Sequence, residues 1–503
     1  MTDAASQSVL PVLGIMLPAT GMLLMLLVGG RYVEWLALVL LPAGLAVAAA
    51  IFAAVWREGH TLIYVVGGWQ PPLGIALRAD GLSAAMMLVT AVIICATGLF
   101  AGPQFSQPRG SPERRAPLVF WTLLLAIWAA LNAVVVGADL FNLYVALELL
   151  TFAAVPLVAL TGGTETIEAA LRYLLFALLG SVSYLVGTVL LFAAYGTLDI
   201  ALLSARVRPE PISWIAASLM TIGLIAKTAL FPLHLWLPPA HAGAPAPGSA
   251  VLSALVVKGS FFLIVRLWFD AMPGLLNLAA AQLLAGLGAA AILLGSILAL
   301  RQSRLKLLIA YSTVAQVGYL FLIFPLAGAA AASEPASSIA WTGGWMQLFS
   351  HAFAKAAMFM AAGLIAEALG HDRIAELGGI ARRLPISTLA FALAGLSLMG
   401  VPPSGGFVAK WLLLLASVMQ GQWWWAAVIL LGGVLAGAYV LIVVGKALAP
   451  AGAAVAPTAP VSRRREVVAL TVALGAVLLG LVPLQPSELL QIGRPDVHAL
   501  AAR

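Results

Sequence analysis

Residues 226–259 read AKTALFPLHLWLPPAHAGAPAPGSAVLSALVVKG. The stretch is apolar, yet it carries Lys227 and Lys258 and is broken by Pro232, Pro238 and Pro239. Proline removes a backbone donor and interrupts the helix ladder. Inside a bilayer such a break survives only where protein or water satisfies the freed groups. A lysine at the bilayer centre costs roughly 2.5–3.5 kcal/mol. The stretch therefore reads as part of a membrane helix bundle that tolerates polar groups in its interior.

Composition supports that setting. Of 503 residues, 63% are apolar and 9% charged, against roughly 45–50% and about 25% in soluble domains. Such a chain has too few charged groups to cover a soluble surface, which excludes an ordinary soluble enzyme. A membrane helix needs about 20 apolar residues. Fourteen spans are expected, over 8–29, 32–56, 80–102, 116–137, 139–161, 168–196, 211–233, 248–269, 277–300, 306–327, 338–369, 385–418, 423–447 and 466–484. The apolar runs are continuous, so an all-α polytopic membrane protein is expected and a β-barrel is not. Segment 60–79 differs: β-favouring residues flank Gly67, Gly68, Pro71 and Pro72, which predicts a short external β-hairpin. Segment 449–465 reads as an Ala/Pro-rich linker ending in three arginines.

Several chemistries are excluded. Cys95 is the single cysteine, so neither an internal disulfide nor a thiolate metal cluster is expected. No phosphate-binding glycine motif occurs. No cofactor, no metal and no redox chemistry within the chain itself are expected. The net charge of +7 sits in short loops, which fits positive-inside topology and not nucleic-acid binding. The N-terminus lacks a basic segment, so no cleaved signal is expected.

Of 26 basic residues, fifteen fall on the connections after odd-numbered spans, among them Arg31, Arg109, Arg114, Arg304 and Lys306. Six fall on the other side: Arg57, Arg78, Arg206, Arg208, Arg494 and Arg503. The odd side is expected to be cytoplasmic, with both termini outward, as in a bacterial-type plasma membrane.

The remaining five lie within spans: Lys227, Lys258, Arg266, Lys355 and Lys410. Four of the chain's six lysines are thus intramembrane, at a cost of roughly 10–14 kcal/mol together. Arginine cannot deprotonate in a protein, whereas a buried lysine loses its proton readily. The single deep carboxylate is Glu148, enough to compensate one lysine. Lysines that are neutral part of the time and exchange protons would resolve the imbalance.

Blander readings compete. Arg266 lies near a span end and is expected to snorkel to the interface. His351 and Lys355 share a helix face and could form a structural hydrogen bond. A Glu148–Lys227 pair could be a static staple. Asp139 is expected to cap a helix, and Trp423, Trp424 and Trp425 to form an interfacial belt. His234 and His241 could ligate haem, but two neutral histidines hydrogen-bonded at a bend are the simpler expectation.

Two spans carry breaks: the seventh at Pro232 and Pro238, the twelfth at Pro402 and Pro403 ahead of Lys410. Helices 4–8 and 9–13 form two units of five, and the broken helix is fourth in each. Five is odd, so the second unit is inverted, a transporter pattern. The expected organisation is 1–115 (three helices and the hairpin), 116–270 (first repeat), 271–448 (second repeat) and 449–503 (linker and last helix).

These residues resemble the antiporter-like membrane subunits shared by respiratory complex I, membrane-bound hydrogenases and Mrp-type cation/proton antiporters. The matching stretches are 226–259, LKLLIAYSTVAQVGYL (305–320), LFSHAFAKAAMFMAAG (348–363) and GVPPSGGFVAKW (400–411). GGWQPPLGIALRADGLSA (67–84) and DLFNLYVALELL (139–150) look most like the D component of the Mrp type. The resemblance implies proton-transfer roles for Glu148, Lys227, Lys258, His351, Lys355 and Lys410; His234 and His241, at the seventh-span break, are secondary candidates. It also implies a hydrated axis across mid-membrane, partner membrane subunits, and protons and Na+ as transported ions. Pro239 departs from the family's WLPDAH pattern. The implied route enters from the cytoplasm near Lys227, passes Lys258, His351 and Lys355, and leaves by Lys410. Glu148 would stabilise protonated Lys227 when close. A stand-alone solute carrier and an inactive membrane scaffold are the alternative functions.

Overall fold

The computed structural model describes residues 5–30, 32–106, 115–328, 334–450, 460–481 and 486–494. Arg31, Arg109, Arg114, Arg503, both chain ends and most of the expected linker (451–459) lie outside these residues.

Twelve helices among the described residues are long and apolar enough to cross a membrane. They fall on expected spans one to eleven and thirteen. The twelfth is two shorter apolar helices, Pro385–Met399 and Gly405–Met419, separated by the proline break. The fourteenth is Arg463–Leu481, which opens on Arg463, Arg464, Arg465 and Glu466.

Local chemistry sets the ends. Asp80, Asp139, Asp199, Asn277 and Ser404 each cap a helix by accepting a backbone N–H of its first turn. The Asp139 expectation therefore holds: its carboxylate accepts from the N–H groups of Phe141 and Asn142, both at 3.0 Å. The seventh span ends as helix at Thr228, where Ala229 is left-handed at φ 55°. A second short helix, Leu237–Gly243, resumes beyond the break. The hairpin is present as Thr61–Val65 paired antiparallel with Ala76–Ala79. The sequence reading missed a third strand, Ala5–Gln7, which adds in parallel to Thr61–Val65. Three residues are too short for an alternation pattern to register.

Burial is graded. The eighth span, Ala246–Ala271, is wholly enclosed, and the tenth and eleventh are 89% and 78% buried in their apolar windows. The thirteenth, Trp423–Leu448, is only 33% buried. Helices eight, ten and eleven thus form the core. The eighth is not a regular helix as expected: Leu252–Val256 and Arg266–Ala271 are π-helical. At the start of the thirteenth, Trp423 and Trp424 are exposed but Trp425 is buried, donating to Gln422 at 3.0 Å. The aromatic belt is two residues, not three.

Paired glycines bring neighbouring backbones together. A Cβ on Gly180 would stand 2.5 Å from the Gly223 carbonyl oxygen, and one on Gly223 2.2 Å from that of Gly180. Gly288 and Gly318 meet in the same way. Small residues permit such contact where lipid offers no hydrophobic drive between helices. Gly223→Val should therefore overpack the crossing by roughly 1–3 kcal/mol. A lower Tm in detergent is expected; an unchanged Tm would refute the tight crossing.

Candidate functional site

The breaks and irregular turns decide where each lysine finds its partners. Lys227 sits in the last turn before the seventh-span break. Its Nζ donates to Glu148 Oε1 and Thr151 Oγ1, both at 2.9 Å. Ser181 donates to the same Glu148 oxygen. The break is closed by the Trp236 indole, which donates to the Ala226 carbonyl at 2.8 Å. One residue on, Thr228 donates to Ser260 of the eighth span at 3.0 Å.

Lys258 is fully buried, and its ammonium donates to the Ser253 carbonyl inside the π-helical segment. The Ser253 hydroxyl meets Thr313 Oγ1 at 2.9 Å, and Thr313 donates to the Ile309 carbonyl at 3.0 Å. That carbonyl also accepts from Lys355 Nζ at 3.0 Å, and Lys355 donates to the Ser312 hydroxyl. A polar thread thus runs from Lys258 to Lys355 across three helices.

Lys410 follows the twelfth-span break. Its Nζ takes the carbonyls of Leu398 and Met399, at 2.6 and 3.4 Å, from the helix on the other side of the break. It also lies 4.5 Å from the centroid of the Tyr319 ring. Gln316 donates to the Leu398 carbonyl at 3.3 Å and accepts from Gln347 at 2.9 Å. His351 is buried within electrostatic range of Lys258, Lys355 and Lys410.

Among the described residues, Lys227 is the lysine of these four that meets a carboxylate within 4.0 Å. The other three take carbonyls and hydroxyls. His351 and Lys355 share a face but do not bond to one another: both His351 ring nitrogens lack a partner among the described residues.

Two expectations are corrected. His234 and His241 are not both hydrogen-bonded at the bend. Both ring nitrogens of His241 and Nδ1 of His234 lack partners among the described residues. His241 is instead packed on Phe359, with ring centroids 4.5 Å apart, and lies within electrostatic range of Lys355, Lys306 and Lys258. Just beyond it a cavity of about 630 Å³ is lined by Gly243, Ala244, Lys306, Glu367 and Arg465.

Arg266 does not snorkel. It is buried and bonds Asp80 at 2.6 Å, Asp270 at 2.8 Å and the Ser83 hydroxyl at 3.0 Å. Asp80 escaped notice because it is 186 positions away in sequence, as the two residue numbers give, whereas Asp270 stood at i+4, a spacing that does pair on a helix face.

The hydroxyl thread was also missed. Ser253, Ser312 and Thr313 stood in the quoted stretches, and polar residues inside apolar runs were the available signal.

The profile of the family described as NADH:quinone oxidoreductase/Mrp antiporter, TM, matches residues 137–436. The chain belongs to this family. The N component of the NADH-quinone oxidoreductase of Desulforudis audaxviator is 34% identical over 456 residues, covering 87% of this chain and 88% of that one. The D component of the Na(+)/H(+) antiporter of Alkalihalophilus pseudofirmus is 29% identical over 372 residues, 73% of this chain and 71% of its own. A chain of the membrane-bound sulfane sulfur reductase, an archaeal respiratory membrane complex, superposes with a TM-score of 0.86 at 26% identity, covering 98% and 99% of the two chains. As a member of the NADH:quinone oxidoreductase/Mrp antiporter family, the chain is a multi-pass membrane protein with the antiporter-like fold.

Removing one member of a buried ion cluster leaves uncompensated charge, typically worth roughly 3–5 kcal/mol. Arg266→Ala should lower the Tm accordingly, whereas a surface arginine would change it little.

Proposed function

We propose that this chain is a proton-translocating, antiporter-like subunit of a multisubunit membrane complex. The observation that carries the reading is the placement of the lysines. One is paired with Glu148, and three are buried among carbonyls and hydroxyls without a carboxylate among the described residues. An ammonium held only by neutral acceptors loses its proton at smaller cost than one held by a carboxylate. Such groups suit transfer; a paired group suits control.

In this reading protons pass along Lys227, Lys258, His351, Lys355 and Lys410, with His234 and His241 secondary. The Thr228–Ser260 and Ser253–Thr313 contacts bridge the lysine positions. Glu148 sets the proton affinity of Lys227, and a neighbouring subunit that shifts Glu148 couples the chain to redox chemistry or to Na+ movement. The cavity beside Lys306 lies among the odd-side helix ends, where basic residues concentrate. In this reading it opens to the cytoplasmic face, with both termini outward in a bacterial-type plasma membrane. Residues 116–270 and 271–448 form the two inverted units, each with its broken helix fourth.

In the purified assembly reconstituted into liposomes, Glu148→Ala and Lys227→Ala should both abolish coupled proton flux. Wild-type coupling in both would eliminate the scheme. Lys258→Arg keeps the charge but forbids deprotonation. It should slow flux roughly 100-fold or more, and full activity there would show that no proton leaves this position.

A further inference from the structure

A second cavity, of about 210 Å³, is lined only by apolar and indole side chains. Its floor is Ala85 of the third span, Met346 and Phe349 of the eleventh, and Leu490 of the C-terminal helix Pro486–Gln491. These four are buried, whereas at its mouth Trp56 is exposed and Val89 half-buried.

We infer that this groove holds one acyl chain of a phospholipid. Three observations lead there. The groove is cut between three membrane-crossing helices, so its interior runs alongside hydrocarbon. Water does not fill it, because a buried water needs two to four polar partners and the lining supplies none. At the mouth, Trp56 occupies the last turn of its helix, a position where indoles settle at the headgroup level. Arg57 follows it and is exposed, a cation at the level of the lipid phosphate.

The position ties the lipid to the polar thread. Met346 and Phe349 face the groove, while Gln347 and Lys355 on the same helix bond to Gln316 and to the Ile309 carbonyl. A chain in the groove would back the helix that carries His351 and Lys355, filling a space that would otherwise let it shift. The strap Pro486–Gln491 closes the floor and is itself held, its Leu490 carbonyl accepting from the Trp341 indole at 2.9 Å.

The test uses the intact complex in nanodiscs of brominated phosphatidylglycerol, imaged by electron cryomicroscopy. Bromine-enhanced density inside the groove, continuous with a headgroup beside Arg57, is the expected result. An empty groove, or one filled by protein, overturns the proposal. In parallel, native mass spectrometry after exhaustive delipidation should find one phospholipid fewer on Val89→Trp and Ala85→Phe than on wild type. Equal counts on correctly assembled variants overturn it, as does a retained molecule without glycerophosphate, such as an isoprenoid quinone. Should neither variant assemble, the wild-type density alone decides.

Discussion

Everything in this molecule turns on how an ammonium group is solvated where water is scarce. A buried cation needs oxygen acceptors, and a regular helix offers only the second lone pair of carbonyls already bonded in the ladder. For two of the lysines the chain obtains free carbonyls from defects. The π-helical turn Leu252–Val256 presents the Ser253 carbonyl to Lys258, and the break at Gly400–Ser404 leaves the Leu398 and Met399 carbonyls to Lys410. Lys355 uses the Ile309 carbonyl, which also accepts from Ser312 and Thr313. Irregular backbone at membrane depth is tolerated where it lines protein interior; here that same irregularity solvates the charge.

The bundle is arranged to enclose these acceptors. Helices eight and ten, which supply the Ser253 and Ile309 carbonyls, are the most enclosed in the molecule. The outer helices face their surroundings with apolar side chains such as Leu175, Leu179 and Val182. Close glycine crossings draw helix six to seven and nine to ten. Dispersion and backbone proximity, not hydrophobic drive, hold helices together in lipid, so tight crossings near the thread keep its few polar contacts in register.

Much of this was legible in the sequence, for physical reasons that can be named. Long apolar runs announce spans because hydrocarbon thickness fixes their length. Pro232 and Pro402 announce breaks because proline cannot extend the ladder. Lys227 with Glu148 stood out as opposite charges inside apolar runs, and the structure brings them to 2.9 Å. What sequence did not carry was pairing across distant positions. Arg266 looked like an interfacial residue because Asp80 belongs to another helix and Asp270, four positions on, was passed over. The strand Ala5–Gln7 was too short to show a period, and π-helical turns have no signature in hydrophobic spacing. Ser253 and Thr313 are individually ordinary; only their meeting at 2.9 Å makes them a bridge.

The contrast between Arg266 and the lysines shows that the two kinds of cation are used differently. Arg266 is enclosed as completely as Lys410, yet it faces two carboxylates and a hydroxyl in a fixed fork. Its planar donors match that geometry, and it keeps its proton under any physiological condition. It ties the third span to the eighth with a charge that does not change. Lys258, Lys355 and Lys410 receive neutral acceptors instead, an environment that holds either an ammonium or an amine without stranding a partner charge. Lys227 stands between the two cases, because its Glu148 partner is single and retains 13% side-chain exposure. Under the proposed function, the chain separates charges that hold the bundle together from charges free to change, with the Glu148–Lys227 ion pair at the end of the thread.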